Sequence, residues 1–204
     1  MRISKEAAAA NKVRVLAAAA RLLREKGFDG LGVAEVMKEA GLTHGGFYNH
    51  FDSKEDLAVE ALRTAFDTVV SRVAKRAAEA RSRKGRLQTF RDYVERYLSK
   101  KTRDAPGSGC PMATLGTDAA RHGEALKAEF ADGVERYLEA FADVVPDARG
   151  TDDTRRQTAI LVISALIGAL TLSRTCAGVN EELSEEILSV VRDRLLQDRN
   201  ADDK

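Results

Sequence analysis

The chain has 204 residues, 32% of them charged, with 33 Lys and Arg against 32 Asp and Glu for a formal net charge of +1. That length suits one domain of ordinary size or two small ones, and the balanced charge excludes attraction to nucleic acid by bulk basicity. Two cysteines in such a length do not make a secreted disulfide framework.

Residues 1–28 hold seven Lys or Arg against two Glu. Such a local excess could contact phosphates, and a solvated helix face would look the same. Ala7 to Ala10 is too short for the core of a secretory signal and is followed by Lys12 and Arg14. Val13, Leu16, Ala17, Ala20 and Leu23 fall at helical spacing, and Gly27 ends that helix. A second helix carries Val33, Val36, Met37 and Ala40, closed by Gly41 in the left-handed position.

Thr43 is placed to cap a third helix through its hydroxyl. This helix can run only to about His50, because Asp52-Ser53 reads as the next cap. Asp56, three residues past Ser53, makes a variant of the capping box. A helix of about seven residues is marginal on its own, so Phe47 and Phe51, four apart, must hold it against its neighbours. Gly45 and Gly46 inside it each cost about 1 kcal/mol relative to Ala. A bare face is tolerable where another surface comes very close to the backbone. Thr43, His44, Tyr48 and Asn49, with His50 nearby, make the exposed side polar, and no Lys or Glu lies between Leu42 and Phe51. Two helices joined by a tight Gly turn, the second polar and stripped to Gly, predict a helix-turn-helix lying in a DNA groove. A helical hairpin packed on its own domain accounts less well for the glycines.

Beyond Ser53, Ala58, Ala61, Leu62, Ala65, Phe66, Val69, Val70 and Val73 form one stripe on a helix of about 25 residues. Its N-terminus, with Lys54, offers free N–H groups and partial positive charge to a phosphate. Arg81-Ser-Arg-Lys-Gly85 reads as a polar hinge, Leu87 to Leu98 as a helix, and residues 102–109 as a loop. Cys110 then precedes a Pro suited to the first position of a helix. A thiol there has its thiolate stabilised, and a flexible Gly107-Ser-Gly would leave it accessible, so Cys110 is a candidate for ligand or redox sensing. The alternative is a small buried hydrophobe on a pocket wall. Cys176, near the end of the most apolar helix, is expected to be shielded.

Helices resume through Phe141, stop near Pro146 and break over 147–153. Ala159 to Leu172 is apolar on every face, which predicts burial on all sides. The uncharged stretch around it, Gln157 to Ser173, falls short of the roughly 20 residues that span a bilayer. Leu183, Ile187, Val190, Val191 and Leu195 mark an amphipathic last helix. The buried helix must be covered within the monomer or by a second copy at a two-fold axis. Catalytic and metal readings fail on spacing. His44 and His50 are six apart rather than four, and His122 has no His or Cys at ligand spacing. No Walker loop or Gly-x-Ser-x-Gly is present. The expectation is no enzyme, no metal, no cofactor and no membrane, in the cytoplasm.

The run GLTHGGFYNHFDSKEDL, residues 41–57, resembles the recognition helix and following helix start of the TetR family of transcriptional regulators. VLAAAARLLREKGFDGLGVAEVMKEAGL, residues 15–42, is similar to that family's first two helices. The chain departs from the pattern at Leu31-Gly32, where the family usually places a Ser or Thr that bonds a phosphate. GSGCPMATLGTDAA, residues 107–120, is similar to a stretch of an electrophile-sensing subgroup. The resemblance implies an all-α fold: an N-terminal three-helix helix-turn-helix domain over 8–56, with its motif at about 32–51, and a C-terminal helical ligand-binding and dimerisation domain over 57–200. It implies a homodimer through about 155–197 that represses from a palindromic operator in double-stranded DNA. Release would follow binding of a small hydrophobic inducer or thiol modification. The expected DNA contacts are Thr43, His44, Gly45, Tyr48, Asn49, His50 and Lys54. The other reading is a helical protein-interaction adaptor with no DNA role.

Overall fold

The computed structural model describes residues 4–145 and 152–197. Among these residues the secondary structure is helical throughout, with no strand. The expected stop at Pro146 and most of the expected break lie outside the described residues. In order, the helices are α1 (Lys5–Gly30), α2 (Val33–Glu39), a 3₁₀ helix (His44–Asn49), α3 (Lys54–Glu79), α4 (Arg83–Tyr97), α5 (Lys100–Arg103), a 3₁₀ turn (Pro106–Ser108), α6 (Pro111–Ala119), α7 (Glu124–Ala142), α8 (Asp152–Cys176) and α9 (Glu181–Gln197). The chain divides into two compact units, Met1–Thr68 with Gly107–Gly133, and Val69–Pro106 with Val134–Lys204.

In the first unit, Ser4 caps α1 by accepting from the Ala7 N–H at 3.1 Å. The core face of α1 is Val15, Ala18, Ala19, Leu22 and Leu23, while Val13 is 67% exposed. The expected stripe through Val13 and Ala17 is therefore misphased, because alanine runs on both sides let several phases fit. Gly27 does break the helix, at φ 74 and ψ 180, a backbone region that is essentially glycine's alone. The Phe28 N–H freed by this break donates to the Asp118 carboxylate of α6 at 2.8 Å. Gly41 has φ 70 and closes α2 as the sequence predicts. On α3, Leu57, Ala58, Ala61, Leu62, Ala65 and Phe66 are buried. The Phe66 ring lies so close under Gly133 of α7 that a Cβ there would overlap it. Arg63 donates to the buried Glu129 carboxylate, with Nε at 3.0 Å, fixing α3 to α7.

In the second unit, Phe90, Tyr93, Val94, Tyr137 and Phe141 make an aromatic core in which the Tyr93 and Tyr137 hydroxyls hydrogen-bond each other. The expected polar hinge is shorter than Arg81–Gly85, since Ser82 caps α4 by accepting from the Gly85 N–H at 3.0 Å. The expected loop over 102–109 also contains structure. Ser99 caps α5, and Arg103 is buried, bonded to Asp104, Glu181 and Ser184. The Asp104 carboxylate, and then that of Glu181, hold the guanidinium pKa above its ordinary value. A charged side chain is tolerated inside only when paired in this way.

Of the two ways of covering the apolar helix α8, burial wholly within one chain is not the one observed. Leu166 is 1% exposed, but Leu161 is 71% and Leu172 58% exposed. The helix is thus buried on one side only. The α9 stripe behaves likewise: Ser184 and Leu188 face the core, and Leu183 and Val190 are exposed.

Candidate nucleic-acid interface

The 3₁₀ helix His44–Asn49 is held from below. Phe47 and Phe51 are both buried and their rings stack at 5.6 Å. Met37 of α2, also buried, reaches under Gly46. Its outer side presents Thr43, His44, Gly45, Tyr48 and Asn49, all exposed, with Tyr48 at 71%. Thr43 occupies the cap position but makes no side-chain capping bond, so the expected hydroxyl cap is not formed. His50 closes the helix through its N–H to the Phe47 carbonyl at 2.9 Å and is half-buried. The next helix starts at Lys54, where the Asp56 N–H donates to Ser53 Oγ at 3.0 Å. The return bond of the capping box goes to the Asp52 N–H rather than to Ser53. The Lys54 ammonium is exposed and donates to the Asp29 carbonyl at 3.2 Å, which places it at the turn leading into α2. Gly32 caps α2 without a side chain, as Leu31-Gly32 implies.

The two glycines have no shared internal cause. Neither has a positive φ. A Cβ on Gly46 would make ordinary contact with Met37 Cε at 3.6 Å, and one on Gly45 would meet nothing within 4 Å. Nothing inside the protein requires glycine at 45.

The basic excess of residues 1–28 is mostly spent within the head. Lys12 pairs with Glu60, Lys26 with Glu35, and Arg21 with Glu25 and Glu39. Arg24 donates from Nε to the Gly107 carbonyl at 2.8 Å. Residues 1–60 carry nine basic and nine acidic side chains, so the second half of the head neutralises the first. Among the described residues, most of the basic side chains of this stretch are thus held by partners of the head itself.

Sequence reading missed one polar cluster in the same unit. The His122 ring lies on Phe28 at 4.8 Å, with Nδ1 2.9 Å from the Asp118 carbonyl and Nε2 3.3 Å from Asp29 Oδ1. The Asp118 carbonyl, and then the Asp29 carboxylate, push the His122 pKa up. No spacing rule joins positions 29 and 122, so only the fold could reveal it.

Cys110 stands at the N-cap of α6 with Pro111 behind it, as the sequence predicts. It is, however, only 6% exposed, whereas Cys176 is half-buried. The expected accessible thiol and shielded partner are therefore reversed. The Gly107–Gly109 segment does not leave the sulfur open, because Arg24 clamps the Gly107 carbonyl and Gly107 is itself buried against Arg21 and Glu25.

A short polar helix set on a stacked aromatic floor, behind a glycine-closed turn, defines a helix-turn-helix DNA-binding protein. The family model for bacterial regulatory proteins of the tetR family matches residues 15–61, and that for the LmrA/YxaF-like C-terminal domain matches residues 86–183. The HTH-type transcriptional regulator LmrA of Bacillus subtilis is 25% identical over 167 residues, covering 81% of this chain and 87% of that protein. The repressor NemR of Escherichia coli is 22% identical over 139 residues, covering 66% and 67%. A TetR regulator structure from Chloroflexus aurantiacus superposes with a TM-score of 0.70 at 23% identity, covering 92% of each chain. The chain belongs to the TetR family and is a DNA-binding transcriptional regulator.

Proposed function

We propose that the protein is a cytoplasmic homodimeric repressor that grips a palindromic operator through two copies of His44–Asn49 and leaves it when a small molecule binds the body. The observation that carries the DNA contact is Gly45. A helical glycine with ordinary φ and open space above it weakens the helix by about 1 kcal/mol for no internal return. A groove edge approaching the backbone gives it a reason. Thr43, His44, Tyr48 and Asn49 then face base edges or phosphates, His50 lies at the rim, and Lys54 with the α3 N-terminus meets the backbone.

The exposed apolar residues of α8 and α9 support pairing through about 155–197. Gly168 on the same outer side of α8 also has nothing within 4 Å of a Cβ position, leaving room for a close helix. Domains at 8–56 and 57–200 then divide reading from pairing and sensing. The two recognition helices must sit about 34–36 Å apart, or a multiple, to enter successive major grooves. An inducer works by binding more weakly to the DNA-bound form. Between the two release routes, the burial of Cys110 favours a bound ligand over direct thiol modification. The activity is binding, with no catalytic step assigned.

The test is footprinting on DNA flanking the protein's own gene. The expected result is a protected palindrome whose binding weakens steeply with salt. Binding equally weak on all sequences, with the adaptor's preference for a protein partner, would overturn the reading.

A further inference from the structure

A cavity of about 500 Å³ lies in the second unit, bounded by the end of α3, the start of α4, the end of α7 and the start of α8. That volume falls within the range of about 300–1,000 Å³ typical of small-molecule sites. Its walls are mainly alanines, among them Ala77 and Ala140, so side chains too short to fill it leave it open. Its charged groups are Arg81, Arg86 and Arg155 against the single carboxylate of Asp143.

A second observation points the same way. Residues 72–91 carry eight Lys or Arg against Glu79 alone. In the head, a similar excess is drained by carboxylates. Here the side chains of Arg81, Lys84 and Arg86 make no hydrogen bond or ion pair with the described residues. The α4 N-terminus, which begins at Arg83 between Arg81 and Arg86, adds its own partial positive charge. Guanidiniums of this kind recognise planar or tetrahedral oxyanions through paired N–H donors.

We propose that this cavity binds an amphipathic anion: a carboxylate or phosphate head held by Arg81 and Arg86, with a short apolar body against the alanine walls. The occupancy stands on the cavity alone. Its consequence, release of DNA, rests on the repressor reading above.

The test is calorimetry on the full chain with octyl phosphate, octanoate, octanol and inorganic phosphate. Octyl phosphate or octanoate should bind, the better of the two identifying the head, while octanol and free phosphate bind at least about tenfold more weakly. The Arg81→Gln/Arg86→Gln double variant should lose at least about tenfold in affinity, with its melting temperature unchanged. Lys84→Gln, which lies outside the cavity, should bind as the parent does. Ala140→Leu, which fills the cavity, should exclude the probe. Octanol binding as tightly as the anions, an equal loss in Lys84→Gln, or parental affinity in the double variant would each overturn the site. In a gel-shift arm, the probe should release the parent from DNA and not the double variant. Failure of every form to bind DNA would count against the repressor reading and leave the calorimetry to judge the site.

Discussion

The head and the last two helices leave different things uncovered. In the head, Phe28, Leu31, Phe47, Phe51 and Phe66 are all buried, and the charges of α1 are matched by Glu35, Glu39 and Glu60. Around the short helix, what remains outside is a small polar surface with one conspicuous aromatic, Tyr48. On α8 and α9 the uncovered residues are Ile160, Leu161, Leu172, Leu183 and Val190. A single amphipathic ring among hydrogen-bonding groups suits a wet, polar groove. A run of aliphatic side chains suits a dry partner, which a second copy of the same helices supplies. The two surfaces therefore call for two partners, and each can be disturbed without the other.

The largest expected effect separates surface from core on α8. Leu161→Arg with Leu172→Arg should abolish the dimer at a cost of several kcal/mol, on the order of that for an uncompensated buried charge. The monomer should stay helical, and operator binding should fail for want of the second head. Leu166→Arg should instead unfold the second unit, because Leu166 is buried within one chain. Sedimentation and circular dichroism check both, and a double variant that remains dimeric would move the interface elsewhere.

Asn49→Ala should change the preference at one base pair by about 1–3 kcal/mol if the amide reads a base edge. Selection from a randomised operator would reveal it as relaxation at a single position. Lys54→Ala should act on all sequences alike, lowering the salt slope by about one unit. An unchanged slope across a salt titration would leave Lys54 only its bond to the Asp29 carbonyl.

The smallest effect concerns His122. Its pKa is raised in the folded protein, so protonation stabilises the fold. That contribution is complete below the unfolded value of about 6.5 and is lost as pH rises through the folded value. The cluster is partly solvated, so the gain should be under about 1 kcal/mol. Urea melts at pH 5.5 and pH 8, buffers chosen to lie roughly either side of the ordinary histidine value, should differ more for the parent than for His122→Phe. Equal differences would show that His122 contributes no pH dependence.

The head's local features were legible from sequence because they are set by nearby residues. Gly27 and Gly41 stop their helices, Phe47 and Phe51 anchor the short one, and the α3 stripe needs only its own period. What was hidden depended on partners distant in the chain. Alanine on two faces of α1 left its phase open, most of the acids that neutralise α1 lie beyond it, and the salt bridges of Arg103 come partly from α9. The α9 stripe was found, but periodicity does not say whether an apolar face turns toward its own chain or away from it. Here Leu183 and Val190 are exposed while Ile187, Val191 and Leu195 are half-buried, and one side of α8 likewise stays open within one chain. Cys110 illustrates the same limit: its place at a helix start is local, while its burial follows from the fold around it.

Gly45 tests the central claim most directly. Because a Cβ there meets nothing within 4 Å, Gly45→Leu adds bulk to the outer face of the short helix without disturbing its floor. Melting temperature and operator affinity should be measured on the same sample at fixed salt. The account predicts a melting temperature at or above the parent's and an affinity lower by at least about tenfold, or 1.4 kcal/mol. Parental affinity in a well-folded Gly45→Leu variant would contradict it, since no groove could then lie against that backbone.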